Sequence, residues 1–212
     1  MRNLSSSGKT PFVKICGVRT ESDLTACAAC DVDAVGLVFA PGSPRELSPA
    51  EAITLYAGMP STLEAIGLFV DPAMELLEAW PGEWIQLHGE ETPERVTSIA
   101  AETGHRIVKA IRFDPDACRH WDEHPDVEVL LVDGPRGGSG EPFDHGLLAD
   151  VLPKLQTPVV IAGGLGPESV GDVVRDHRPF GVDVSSGVES TRGVKDHDLI
   201  RAFVAAARTR SG

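Results

Sequence analysis

Positive charge is the first shortage. Only 19 of 212 residues are Lys or Arg against 32 Asp or Glu, a formal net charge of −13. Nucleic acid and anionic membranes both demand a basic face, so neither is expected as a partner. Lys is scarcer than Arg, and aromatic residues make up only 5% of the chain. An acidic, Arg-over-Lys surface suits a salt-rich cytoplasm, as in halophiles, which activity across a salt series would test. Cysteine is limited to Cys16, Cys27, Cys30 and Cys118. That is too sparse for a disulfide scaffold and fits a reducing compartment. No window approaches the roughly 18 unbroken apolar residues of a membrane span. The opening MRNLSSSGKTPF has no apolar signal region, so a cytoplasmic location is expected.

What is present is alternation. Eight short apolar runs recur: Phe12 to Cys16, Ala34 to Phe39, Leu63 to Val70, Trp84 to His88, Arg106 to Arg112, Val127 to Asp133, Pro158 to Gly164 and Phe180 to Ser186. Their spacing of roughly 20 to 30 residues leaves room for one strand and one helix each. Amphipathic stretches lie between them. Thr20 with Asp23 predicts a capping box, and Ser48 before Pro49 predicts a helix start. Helical patterns also follow the third, fourth and seventh runs, while 113–126 is broken by prolines and predicts only a short helix. Strands apolar on both faces and linked by helices make a covered parallel sheet. Eight such units in a chain 42% hydrophobic predict one α/β domain, a (β/α)8 TIM barrel over residues 11–208. Residues 1–10 read as a flexible tail. A doubly wound sheet would carry G-x-G-x-x-G after its first strand, and CGVRTES lacks it.

In such a barrel, function sits at the C-terminal strand ends and the loops beyond them. Gly163 and Gly164 in AGGLGPESV, and Asp183, Ser185, Ser186 and Gly187 in DVSSGVE, offer small residues, hydroxyls and backbone N–H groups. They fit either ordinary turns or a phosphate site in loops seven and eight. Cys16 reads as a core residue or, facing the mouth, as a thiolate base. Asp133 ends a strongly apolar run. It reads as a capping residue paired with Arg136, or as a carboxyl kept protonated by partial burial for use as an acid. Arg45, in a proline-held loop, fits a surface residue or a fork for a substrate carboxylate. Gln86 and His88 end the fourth run and line the site or satisfy the rim. Cys27 and Cys30 lack the second ligand pair that zinc needs and read as core. His105, His120, His124, His177 and His197 read as surface residues.

Together VKICGVRTESD, AVGLVFAPGSPRELSPAEA, IQLHGEE, LLVDGPRGGSGEPFDH, VVIAGGLGPESV and GVDVSSGVES resemble the phosphoribosylanthranilate isomerases, in the family's order, from about Phe12 to Phe203. The resemblance implies a barrel that performs an Amadori rearrangement of phosphoribosylanthranilate, in tryptophan biosynthesis, as a monomer or homodimer. It implies that Asp133 protonates the furanose oxygen and Cys16 removes the C2 proton. Arg45 would hold the anthranilate carboxylate, and loops seven and eight the phosphate. No cofactor or metal is implied, because the iminium nitrogen is itself the electron sink. Gly166 and Ser169 stand where the family often has asparagines, and backbone contact with phosphate is expected there.

Two rivals differ in class. A metal-dependent sugar-phosphate epimerase would use His88, Asp133 and Asp183 as ligands, but the second run ends in Phe39 and Ala40 instead of a second His. A non-catalytic phosphate-binding barrel would need neither Cys16 nor Asp133. A related indole-glycerol-phosphate synthase would use a Lys near the end of the first run. Lys14 is placed on the same face as Cys16, but the surrounding motif does not fit.

Overall fold

The computed structural model describes residues 10–134 and 145–209. The expected tail falls almost wholly on residues 1–9 and lies outside them, as do Arg136 and the GGSG segment.

Eight parallel strands close into a barrel in chain order. They are β1 (Phe12–Cys16), β2 (Ala34–Val38), β3 (Glu64–Phe69), β4 (Trp84–Leu87), β5 (Arg106–Arg112), β6 (Val127–Asp133), β7 (Val159–Ala162) and β8 (Gly181–Val184). Helices follow them: α1 (Glu21–Ala29), α2 (Pro49–Ala57), α3 (Met74–Glu78), α4 (Pro93–Thr103), α5 (Pro115–Asp122), α6 (His145–Val151), α7 (Val170–His177) and α8 (His197–Arg208). A two-stranded hairpin, β9 (Glu189–Thr191) with β10 (Val194–Lys195), inserts before α8. The sequence pattern did not reveal it, because each strand is too short to show periodicity.

Helix starts obey local chemistry. Thr20 accepts from Asp23 N–H while the Asp23 carboxylate accepts from Thr20 N–H, and Ser48 with Glu51 repeats the arrangement ahead of Pro49. Each cap contributes about 1 kcal/mol. α3 is only five residues, shorter than its apolar pattern. Asp71 sits at φ +44, outside the right-handed helical region, and the helix begins only at Met74.

Side chains alternate across each strand. Ile15, Leu37, Leu87, Leu130 and Val182 point outward against Leu24, Ile99 and Phe203 of the helices. Burying a residue such as Phe203 contributes about 1.5–3 kcal/mol. The other face fills the barrel with Ile66, Trp84, Val108, Leu131 and Val160. At the N-terminal rim Arg106 pairs with Glu83 and Glu128 and stacks 4.1 Å from the Trp84 ring. The plug is thus apolar in the middle, and the next inward layer opens toward the C-terminal mouth. No helix among the described residues is long and apolar enough to cross a membrane.

The histidines depart from expectation. Of the five read as surface residues, only His120 is exposed; His105, His124, His177 and His197 are half-buried. His105 reaches Leu77 O, His124 reaches Pro93 O and His197 reaches Asp23 Oδ1. Polar flanking residues hid these contacts, which join segments far apart in sequence. Cys27 is fully buried and Cys30 caps α1, and none of the four cysteines is in a disulfide.

Candidate active site

A cavity of about 410 Å³ lies at the C-terminal mouth of the barrel. Its walls include all eleven residues singled out from the sequence: Cys16, Arg45, Gln86, His88, Asp133, Gly163, Gly164, Asp183, Ser185, Ser186 and Gly187. Such a volume suits a small phosphorylated ligand.

Register builds the floor. In β1, Lys14 is opposite Asp183 of β8 and Cys16 is opposite Gly36 of β2. Lys14 Nζ donates to Asp183 Oδ1 at 2.9 Å, with both side chains buried. Asp183 therefore carries its own cation as well as facing the cavity. The strand period places Lys14 only on the same face as Cys16, and the tertiary pairing gives it a partner 169 residues away. Cys16 is 6% exposed and packs on Val38 and Leu68. Burial pushes its thiol up, the Lys14 charge opposes this, and the balance stays above the ordinary value.

Across the mouth, Asp133 ends β6 with 37% of its side chain exposed, more open than its apolar run suggests. Its Oδ2 is 3.7 Å from His88 Nε2. His88 Nδ1 is 3.1 Å from Gln86 Nε2. With Gln86 donating, the His88 proton sits on Nε2 and faces Asp133. Gln86 is fully buried, yet its Oε1 has no hydrogen-bond partner. A buried unpaired acceptor costs about 1–3 kcal/mol, and Gln86 is a residue of the cavity wall.

Loops seven and eight press together. Gly163 has φ +90, and a Cβ there would meet Gly134 N at 2.4 Å and Asp133 Oδ1 at 2.6 Å. A Cβ on Gly187 would lie 1.9 Å from Leu165 O. Only glycine permits these approaches, which bring main chain to the cavity wall. Gly166 and Ser169 correct an expectation. Gly166 N–H donates to Ser169 Oγ and Ser169 N–H to Gly166 O. These donors close a local turn, and neither residue lines the cavity.

Arg45 also differs from expectation. Its Nε and Nη2 donate to the two Glu189 oxygens at 2.6 and 2.8 Å, so the fork anticipated for a ligand is held from within. The Glu189 bonds hold its guanidinium pKa above the ordinary value. Glu189 also accepts from Gly193 N–H and Lys195 Nζ. Its burial opposes ionisation, but the bonds from Arg45, Gly193 and Lys195 win and hold the carboxyl at about 2. The sequence pattern missed Glu189 and Lys195 because the hairpin that carries them is too short to read. His88, Asp133 and Asp183 all line the cavity, yet no group of three His, Cys, Asp or Glu among the described residues is placed to hold a metal.

The family model for N-(5'phosphoribosyl)anthranilate (PRA) isomerase matches residues 13–206. The N-(5'-phosphoribosyl)anthranilate isomerase of Natronomonas pharaonis is 40% identical over 203 residues, covering 92% of this chain and 97% of that protein. The crystal structure of the phosphoribosyl anthranilate isomerase from Thermotoga maritima is 33% identical, with a TM-score of 0.84 over 93% of this chain and 98% of that one. A phosphoribosyl anthranilate isomerase in complex with reduced 1-(o-carboxyphenylamino)-1-deoxyribulose 5-phosphate is 32% identical, with a TM-score of 0.81 over 93% and 98%. Neither rival reading finds support among these relatives.

Proposed function

This chain belongs to the N-(5'-phosphoribosyl)anthranilate isomerase family, and from that premise we propose that it converts N-(5-phosphoribosyl)anthranilate to 1-(2-carboxyphenylamino)-1-deoxyribulose 5-phosphate. Asp133 protonates the furanose ring oxygen, and the ring opens to an iminium. The Cys16 thiolate takes the C2 proton, and the electrons of that C–H bond move to the iminium nitrogen. The resulting enolamine tautomerises to the ketone. Atoms balance as an isomerisation: one proton is given by Asp133 and one is taken by Cys16. Each proton-transfer group supplies about 10²–10⁴ in rate, beyond what holding the sugar in place contributes.

The observation that carries this reading is the convergence of Cys16, Asp133 and the main chain of loops seven and eight on one cavity. The unpartnered Gln86 Oε1 accepts from a sugar hydroxyl, which fits a pentose. The N–H groups near Gly164 and Ser186 hold the phosphate without needing a basic cluster. The edge of Arg45 turned away from Glu189 receives the anthranilate carboxylate. A Thermotoga maritima relative is dimeric, and this chain acts as a monomer or homodimer, which light scattering of the purified protein distinguishes. Fresh phosphoribosylanthranilate mixed with the protein should lose its fluorescence. Cys16→Ala and Asp133→Asn should each reduce kcat by at least about 10² while leaving substrate binding nearly intact. Full turnover by Cys16→Ala would remove the base.

A further inference from the structure

Charge around Cys16 does not balance. Lys14 pairs with Asp183 on the barrel floor. Lys195 Nζ, only 1% exposed at its side chain, donates to Ser185 O and Glu189 Oε1. Arg45 takes the other face of Glu189. Three cations (Lys14, Lys195 and Arg45) thus share two carboxylates, Asp183 and Glu189. A buried positive charge without its own counter-ion is costly. A neutral thiol does nothing for the excess, whereas a thiolate cancels it.

Geometry puts Cys16 where that cancellation works. A Cβ built on Gly36 would lie 2.9 Å from Cys16 Sγ and 3.3 Å from Lys14 Nζ. Sulfur and ammonium are therefore no more than about 6 Å apart, within the range of effective pairing. Glycine at 36 leaves the space between them open. The neighbours from β2 and β3, Val38 and Leu68, carry no charge. Asp133 and His88 face the same cavity from β6 and β4.

We infer that Lys14 is a positioning residue for the base: its ammonium, anchored by Asp183, supplies the counter-charge that lets Cys16 act as a thiolate. This rests on the reading of Cys16 as the base. Burial raises the Cys16 thiol, Lys14 is the strongest influence pulling it back, Asp183 pushes it up again and Lys195 lowers it. Burial would also discharge Lys14, but Asp183 and then Cys16 outweigh it and keep the ammonium charged. No proton passes from Cys16 to Lys14, which has no lone pair to accept one. The thiol releases its proton to solvent before turnover, and the thiolate is then open to the C2 proton. Asp183 has two consequences: it keeps Lys14 charged and in place, and its own negative charge limits how far the thiol is lowered.

The test reads Cys16 without substrate. The chain is alkylated with iodoacetamide across a pH series, and modification of the Cys16 peptide is followed by mass spectrometry. Lys14→Met should raise the pH midpoint by at least about one unit. The acid limb of kcat/KM should move with it, a loss of about tenfold in the thiolate fraction at a fixed pH below the midpoint. Lys14→Arg should restore most of the shift. Lys14→Gln, which removes the charge but keeps a polar group toward Asp183, should raise the midpoint in the same way. A midpoint unchanged in both Lys14→Met and Lys14→Gln, or one that Lys14→Arg fails to bring back, would overturn the inference. If Lys14→Met does not fold, Lys14→Gln set against Lys14→Arg carries the test. Failure of the unaltered chain to isomerise phosphoribosylanthranilate would sink the functional reading, while the alkylation midpoints still judge Lys14 separately.

Discussion

Replacing Glu189 by Gln removes the one carboxylate that holds Arg45, Lys195 and Gly193 N–H together. The amide keeps one acceptor oxygen but turns an NH2 toward donors, so at least one cation loses its partner. Lowering of the carboxyl from 4.5 to about 2 corresponds to about 3 kcal/mol of pH-linked stability. Screening at the partly exposed Arg45 end reduces the expected loss to about 2 kcal/mol. The sign follows from linkage. A folded-state value below the unfolded one gives stabilisation that is complete above 4.5 and is lost as pH falls toward about 2. The penalty should therefore be full at pH 7 and less than about half as large at pH 3, where the carboxyl of the unfolded chain is already protonated while the folded one is still mostly charged. Urea unfolding followed by circular dichroism at the two pH values measures both numbers. Activity should show KM rising more than kcat falls, because Arg45 loses the partner that positions it while Lys14 beside Cys16 and Asp133 across the mouth stay in place. A penalty below about 0.5 kcal/mol, or one equal at both pH values, would refute this account of the network.

Gly163→Ala forces a Cβ against Gly134 N and Asp133 Oδ1 at a residue with φ +90. It should cut kcat/KM by at least about tenfold, and wild-type kinetics would show that Asp133 does not depend on this close packing. Lys109 is buried against Glu91 at 2.5 Å and also donates to Gly89 O. Lys109→Met leaves the buried Glu91 carboxylate short of a cation and should cost about 3–5 kcal/mol in urea unfolding. Because Asp71 and Gly89 N–H groups also bind Glu91, the double variant Lys109→Met/Glu91→Gln should recover part of that loss, and no recovery would contradict the electrostatic origin.

Much of this protein could be read locally. The eight apolar runs, the Thr20–Asp23 and Ser48–Glu51 caps and the clustering of glycine, serine, Cys16 and Asp133 at strand ends depend on residues close in sequence. Strand and helix periods report such neighbours directly. The barrel then follows, because strands buried on both faces must be covered by the helices between them. The C-terminal mouth is where those strand ends converge, so the roster of candidate residues could be assembled before any coordinates.

What the sequence alone determined was thus which groups face the mouth. Their pairing was decided only by closure of the barrel. The β1–β8 register sets Lys14 against Asp183 across 169 positions, and the late hairpin brings Glu189 to Arg45 across 144. The same closure opened Asp133 more than its apolar run implied and turned Gly166 and Ser169 onto each other. A side-chain period tells which way a residue points. It carries no information about which distant residue will stand beside it, because that depends on strand register and on the few ångströms by which loops approach.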